Sequence, residues 1–180
     1  MRKVLFLFGQ LNDDDVEWMI NTGRRQPVAE GEALIRQGVP VDALFILLEG
    51  RLSVLLGRQE KEIARLNAGE IVGEMSFVDA RPPSATVRGL EDAIVFAIPK
   101  AVLQAKLERD LGFAARFYRA LAIYLSTTVR ERHRMLGYGA NVNLDEVQED
   151  DADELDPNVL DGVYLAGERF DRMVKRVLAA

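Results

Sequence analysis

Gly73-Glu74-Met75-Ser76-Phe77, followed by Arg81-Pro82-Pro83-Ser84-Ala85-Thr86-Val87, is the stretch on which the reading of this chain turns. A glycine ahead of a single helical turn leaves backbone N–H groups free and points the positive end of the peptide dipoles at an anion. Glu74 opens that turn. The second segment predicts a tight loop entering a strand at Ser84, whose hydroxyl and amide, with the Ala85 amide, add donors on the same side. Together the two segments have the donor set of a phosphate cradle.

Outward from this stretch, residues 26–98 consist of short runs rich in Val, Ile, Leu and Phe. Gly31, Gly38, Gly50, Gly57, Gly69, Gly73 and Gly89 separate them at near-regular intervals. That rhythm predicts an antiparallel roll or barrel. Eight strands are expected, near 25–28, 33–36, 43–49, 51–56, 62–66, 71–72, 84–89 and 93–99. The clearest hairpin is Leu44-Phe45-Ile46-Leu47-Leu48-Glu49-Gly50-Arg51-Leu52-Ser53-Val54, with Glu49 and Gly50 at its turn. Asn67-Ala68-Gly69-Glu70 makes a further turn before the cassette.

Helical spacing flanks the roll. Asn12 can cap a helix over 13–22, with Asp13, Asp14 and Asp15 in its first turn and Val16, Met19 and Ile20 toward the core. Trp18 sits beside that face as a core or boundary aromatic. Ahead of it, Val4 to Phe8 reads as a packed segment. Pro99 starts a helix over 100–109 with Val102, Leu103 and Leu107 inward. A long helix over 111–136 repeats Phe113, Phe117, Leu121, Tyr124 or Leu125, and Thr128. Residues 137–156 form an acidic linker. Residues 157–180 hold an amphipathic helix with Leu160, Val163, Tyr164, Phe170, Val174 and Val177 on one face, which could dock onto this roll, a second copy or another protein. The fold class is α+β: an eight-stranded antiparallel β-roll with an N-terminal helix and C-terminal helices, in three parts, 1–136, 137–156 and 157–180.

In spacing and residue type, residues 13–136 resemble the cyclic nucleotide-binding domains. The glycine and glutamate of the cassette, the strand-glycine-strand hairpin and the two following helices occur in that family's order. The resemblance implies that Glu74 accepts the ribose 2′-hydroxyl and that the amides of Gly73, Met75, Ser76, Ser84 and Ala85 hold the phosphate of cAMP or cGMP. It places Thr128 near the base. It implies a homodimer through the helix 111–136, which in the family closes over the ligand; a helix covering its own roll explains the same stripe equally well. The departure is Pro83, which stands where the family has an arginine. Proline removes a guanidinium and a backbone donor together. A hydrogen bond to a charged group contributes about 1.5–3 kcal/mol, so affinity is expected to fall by about one to two orders of magnitude. Arg81 is a possible substitute, and the stiff Pro82-Pro83 path aims it either inward or outward.

Composition narrows the remaining choices. With 180 residues, 48% apolar, the chain can bury a core of its own. It has no cysteine and a single histidine, His133, so thiolate chemistry and a zinc cluster are not expected. The acidic run lacks the glycine and ligand spacing of a calcium loop. A net charge of −6 argues against nucleic acid as a partner, and no apolar run reaches membrane length. A cytoplasmic, non-enzymatic sensor without a DNA-binding domain is the first expectation, signalling through the long helix to a partner. The alternative is a roll that has lost its ligand and serves as a dimerising or scaffold piece through the helix 157–178. Glycine turns and a helix-capping Glu74 would suit such a ligand-free roll too.

Overall fold

The computed structural model describes residues 4–137 and 157–179. Helices α1 (Val4–Gln10) and α2 (Asp13–Thr22) lead into β1 (Arg24–Val28), β2 (Ala33–Ile35), β3 (Ala43–Glu49), β4 (Arg51–Leu56), β5 (Lys61–Asn67) and β6 (Ile71–Val72). The short helix α3 (Glu74–Val78) separates β6 from β7 (Thr86–Gly89) and β8 (Ala93–Pro99). Then come α4 (Lys100–Arg109), α5 (Leu111–Gly137) and α6 (Pro157–Ala179). The strands pair antiparallel in two four-stranded sheets, ordered β1-β8-β3-β6 and β2-β7-β4-β5. This is the expected eight-stranded α+β roll.

Two apolar layers explain why β3 and β8 read as unbroken hydrophobic runs rather than alternating ones. Phe45, Leu47, Val95 and Ala97 point into the roll, where they meet Val28, Ile35, Leu52, Val54, Val72 and Val87. Leu44, Ile46, Phe96 and Ile98 point the other way, against Leu103, Leu107, Phe113, Phe117, Leu121 and Tyr124 of the helices. A strand covered on both faces has no solvent side to mark with polar residues. The turn between β3 and β4 is held by Gly50, whose φ of 79° lies in the left-handed region.

α2 begins as expected. The Asp15 amide donates to Asn12 Oδ1 (2.8 Å) and the Asn12 amide to Asp15 Oδ2 (2.9 Å), a reciprocal cap. Asp15 is buried and takes a second role there. Arg116 of α5 donates to both its oxygens, at 2.7 and 2.9 Å, tying α2 to α5. Trp18 stacks edge-on against Phe113 with ring centroids 5.4 Å apart.

Several expectations need correction. Residues 4–10 are a helix and not merely a packed segment, because Val4, Leu7, Phe8 and Leu11 follow a helical stripe and all four are buried. Val102 lies on the outer side of α4, leaving Leu103 and Leu107 as its core contacts. On α6 the buried face is Ala166, Phe170, Met173 and Val177, with Val174 partly covered and Tyr164 75% exposed. That face packs in cis, mainly on α1 and α2. A smaller difference concerns β7: the strand starts at Thr86, so Ser84 precedes the ladder. The acidic linker, Gly139 and the side chains of Leu160 and Val163 lie outside the described residues.

Candidate functional site: the cassette at the mouth of the roll

Gly73 is the N-cap of α3, at φ 88° and ψ 5°. A side chain there would be strained, and its Cβ would stand 3.1 Å from the Ala43 carbonyl oxygen. α3 then runs for one turn, with the Phe77 amide donating to Gly73 O (3.1 Å) and the Asp79 amide to Met75 O (3.0 Å). Helix geometry leaves the amides of Glu74, Met75 and Ser76 with no acceptor inside the turn. Phe77 turns inward and is buried, Glu74 and Ser76 are half-buried, and Met75 and Val78 face out.

The second half of the cassette is linked to the first through β2. Ala85 packs into the same interior cluster as Val72, the residue before Gly73. Ile35, which pairs with Val87 of β7, comes within 3.7 Å of where a Gly73 Cβ would be. The loop after β2 braces this segment: the Gly38 amide donates to Pro83 O (2.9 Å) and the Gln37 amide to Thr86 Oγ1 (3.1 Å). Ser84 stays exposed at the mouth. The structure thus brings Gly73, Glu74, Met75, Ser76, Pro83, Ser84 and Ala85 to one end of the roll.

Arg81 resolves outward. Its amide donates to Asp79 Oδ1 (3.0 Å), its Nε lies 3.8 Å from Asp79 Oδ2, and its side chain is 84% exposed. Lys100 is a cation that the sequence reading missed. Its amide donates to Asp42 O (2.7 Å), and its neighbour Pro99 pairs with Ala43, the residue under Gly73. Partial burial holds the Lys100 ammonium below the usual lysine range, against the opposing pull of the Asp42, Asp79 and Glu74 carboxylates. No motif flags such a lysine, because strand pairing brings it near α3.

α5 touches the cassette at two points. Phe117 meets Phe77 of α3 edge-on at 5.8 Å. Tyr124 Oη donates to Ile71 O (2.8 Å) and accepts from Ile71 N (3.3 Å), two residues before Gly73. Thr128, one turn further along, is half-buried and donates to Tyr124 O at 3.0 Å. Among the described residues no group of three carboxylate, histidine or cysteine side chains is placed to hold a metal. No described helix is long and apolar enough to cross a membrane.

Residues 25–110 match the family profile of the cyclic nucleotide-binding domain. The roll belongs to the cyclic nucleotide-binding domain family. Among curated relatives, a cAMP-dependent protein kinase regulatory subunit of Blastocladiella emersonii is 26% identical over 137 residues, which is 72% of this chain and 34% of that protein. A cyclic AMP receptor protein of Thermus thermophilus is 30% identical over 95 residues, 51% of this chain and 44% of that one. The chain therefore spans less than half the length of these relatives. A crystal structure of a cyclic nucleotide-binding domain from Methylobacillus flagellatus superposes with a TM-score of 0.68 at 21% identity, over 78% of this chain and 84% of that one.

Proposed function

We propose that this domain is a non-enzymatic sensor that binds a cyclic mononucleotide, cAMP or cGMP, at the mouth between Gly73–Ser76 and Ser84–Ala85. The observation that supports the reading is that β2, through Ile35, lies beside Gly73 and pairs with the strand that follows Ser84 and Ala85, inside a roll of this family. Glu74 takes the ribose 2′-hydroxyl, the amides at the start of α3 and at Ser84 and Ala85 take the phosphate, and Thr128 lies toward the base. Binding is weak, because Pro83 supplies neither charge nor amide and Arg81 is turned to solvent beside Asp79. Occupancy passes from α3 through the Phe77–Phe117 contact to α5. Two copies pair along the outer side of α5, where Leu111 (78% exposed), Tyr118 (49%) and Val129 (50%) face outward.

Thermal stabilisation by millimolar cAMP and cGMP tests this, since a ligand that binds the folded state alone raises stability with the logarithm of its occupancy. The wild-type melting temperature should rise, and Glu74→Ala should abolish the rise. Pro83→Arg should tighten binding by about ten- to a hundredfold, the value of one charged hydrogen-bonding partner. A flat melting curve for both the wild type and Pro83→Arg would refute ligand binding.

The outward Arg81 also favours a second reading, a roll that has lost its ligand and acts as a scaffold or dimerising protein through α6. Deleting residues 158–180 should then abolish capture of a protein partner while the roll stays folded. Capture that survives the deletion sinks this version.

A further inference from the structure

α3 is a single turn, far shorter than a helix needs to hold its shape alone, and it follows a glycine whose backbone imposes little on the direction of the chain. What aims α3 is therefore its surroundings. Upstream, Ile71 and Val72 pair with Ile46 and Phe45 of β3. The turn before them is tied to the same strand, with the Leu47 amide donating to Glu70 O (2.9 Å) and the Gly69 amide to Leu47 O (2.8 Å).

α5 stands against this segment and grips it twice. Tyr124 engages both backbone groups of Ile71, donating to its carbonyl at 2.8 Å and accepting from its amide at 3.3 Å. Phe117 lies seven residues earlier on α5, two turns or about 10 Å away on the same side, and meets Phe77 inside α3. One grip falls just before Gly73 and the other just after it.

The two grips differ in kind. Apolar packing is non-directional, so the Phe77–Phe117 contact tolerates small displacements of α3. Hydrogen bonds fix a distance and a direction, and here a single hydroxyl fixes both at two atoms of one residue. Ile71 is 2% exposed and Tyr124 3%, so without that hydroxyl the Ile71 amide and carbonyl lose a partner in a place shut off from bulk water. The backbone between Ile71 and Gly73 is thus held by β3 on one side and by a side chain of α5 on the other.

We propose that Tyr124 is a positioning residue of the cassette: through Ile71 its hydroxyl sets where Gly73 stands, and hence where the amides of Glu74, Met75 and Ser76 point. The effect on ligand affinity rests on the cyclic nucleotide reading above, whereas the placement of α3 does not.

Tyr124→Phe keeps the ring and deletes the hydroxyl alone. Gly31→Ala serves as the control for lost stability, since its Cβ position meets open space at a turn outside the cassette. Amide exchange is followed by mass spectrometry on the full chain well below its melting temperature, and affinities for cAMP and cGMP are measured by calorimetric titration. In Tyr124→Phe, exchange across 71–79 should speed up at least about tenfold relative to β4 and β5 of the same molecule, and nucleotide affinity should fall about tenfold, the factor carried by buried groups that lose their partner. Gly31→Ala should leave both the exchange ratio and the affinity at their wild-type values. The proposal is overturned if the exchange ratio in Tyr124→Phe is unchanged. It is equally overturned if the ratio rises while nucleotide binds as tightly as to the wild type, since the hydroxyl would then stabilise the fold without placing the donors. A wild type that binds neither nucleotide refutes the nucleotide reading instead, and the exchange ratio alone then decides whether Tyr124 places α3.

Discussion

Phe117→Ala is expected to lower the free energy of unfolding by about 3–5 kcal/mol, the largest loss of any single substitution considered for this chain. Phe117 is fully buried where three layers meet. It stacks on Phe113 at 5.6 Å, meets Phe77 edge-on at 5.8 Å and abuts Tyr118 at 6.1 Å. Alanine would remove the transfer free energy of the ring and leave a cavity that neighbours on α3 and α5 can fill only in part, since both are anchored elsewhere. Trp18, packed on Phe113, provides the optical probe: the urea midpoint should fall with little change in slope. Phe117→Leu should lose clearly less. A loss under about 1 kcal/mol for the alanine variant would mean that α3 and α5 are not packed together, and the route from cassette to α5 would fail with it.

Gly50→Ala should destabilise by about 2–4 kcal/mol, from two separable causes. The left-handed φ of 79° disfavours any side chain there, and the added Cβ would stand 2.5 Å from the Asp92 carbonyl oxygen and 2.8 Å from the Ala93 Cα. Neither neighbour is a flexible side chain, so the hairpin must shift. Gly31 and Gly57 provide the control, with φ of 77° and 74° but open space around the Cβ position. Alanine at either should cost about 1 kcal/mol, from backbone conformation alone. Equal losses at all three positions, measured by denaturant unfolding, would contradict the close approach at Gly50.

The roll was legible in the sequence because its signals are local. The Leu44 to Val54 hairpin announces itself by two apolar runs around one glycine, and the strands 43–49, 51–56, 71–72 and 93–99 lie as expected. Asn12 and its three following aspartates likewise mark the start of α2. What escaped depends on long-range placement. Val4 to Phe8 is a short apolar run, and its helical identity shows only when Leu11 is added to the stripe. The α6 face holds Phe170 and Val177 as expected, but Tyr164 is exposed and the small Ala166 and flexible Met173 complete the packing. Of the cassette, the glycine turn at Gly73 and the single helical turn that Glu74 opens could be read from the sequence. The direction of Arg81 could not, because Pro82 and Pro83 permit either one; its side chain turns outward beside Asp79. Lys100 sits near α3 because β8 ends beside Ala43, a fact of strand pairing that no short motif carries.

The two hydrogen bonds between Tyr124 and Ile71 bear on how the molecule behaves at high concentration. β6 is the outermost strand of its sheet, and the outward amide and carbonyl of such a strand are a template on which a foreign strand can grow. Here a phenol from a helix occupies both groups at Ile71. The rim of the sheet is plugged by a side chain, so strand-by-strand polymerisation through this border is blocked without a proline, a bulge or an exposed lysine.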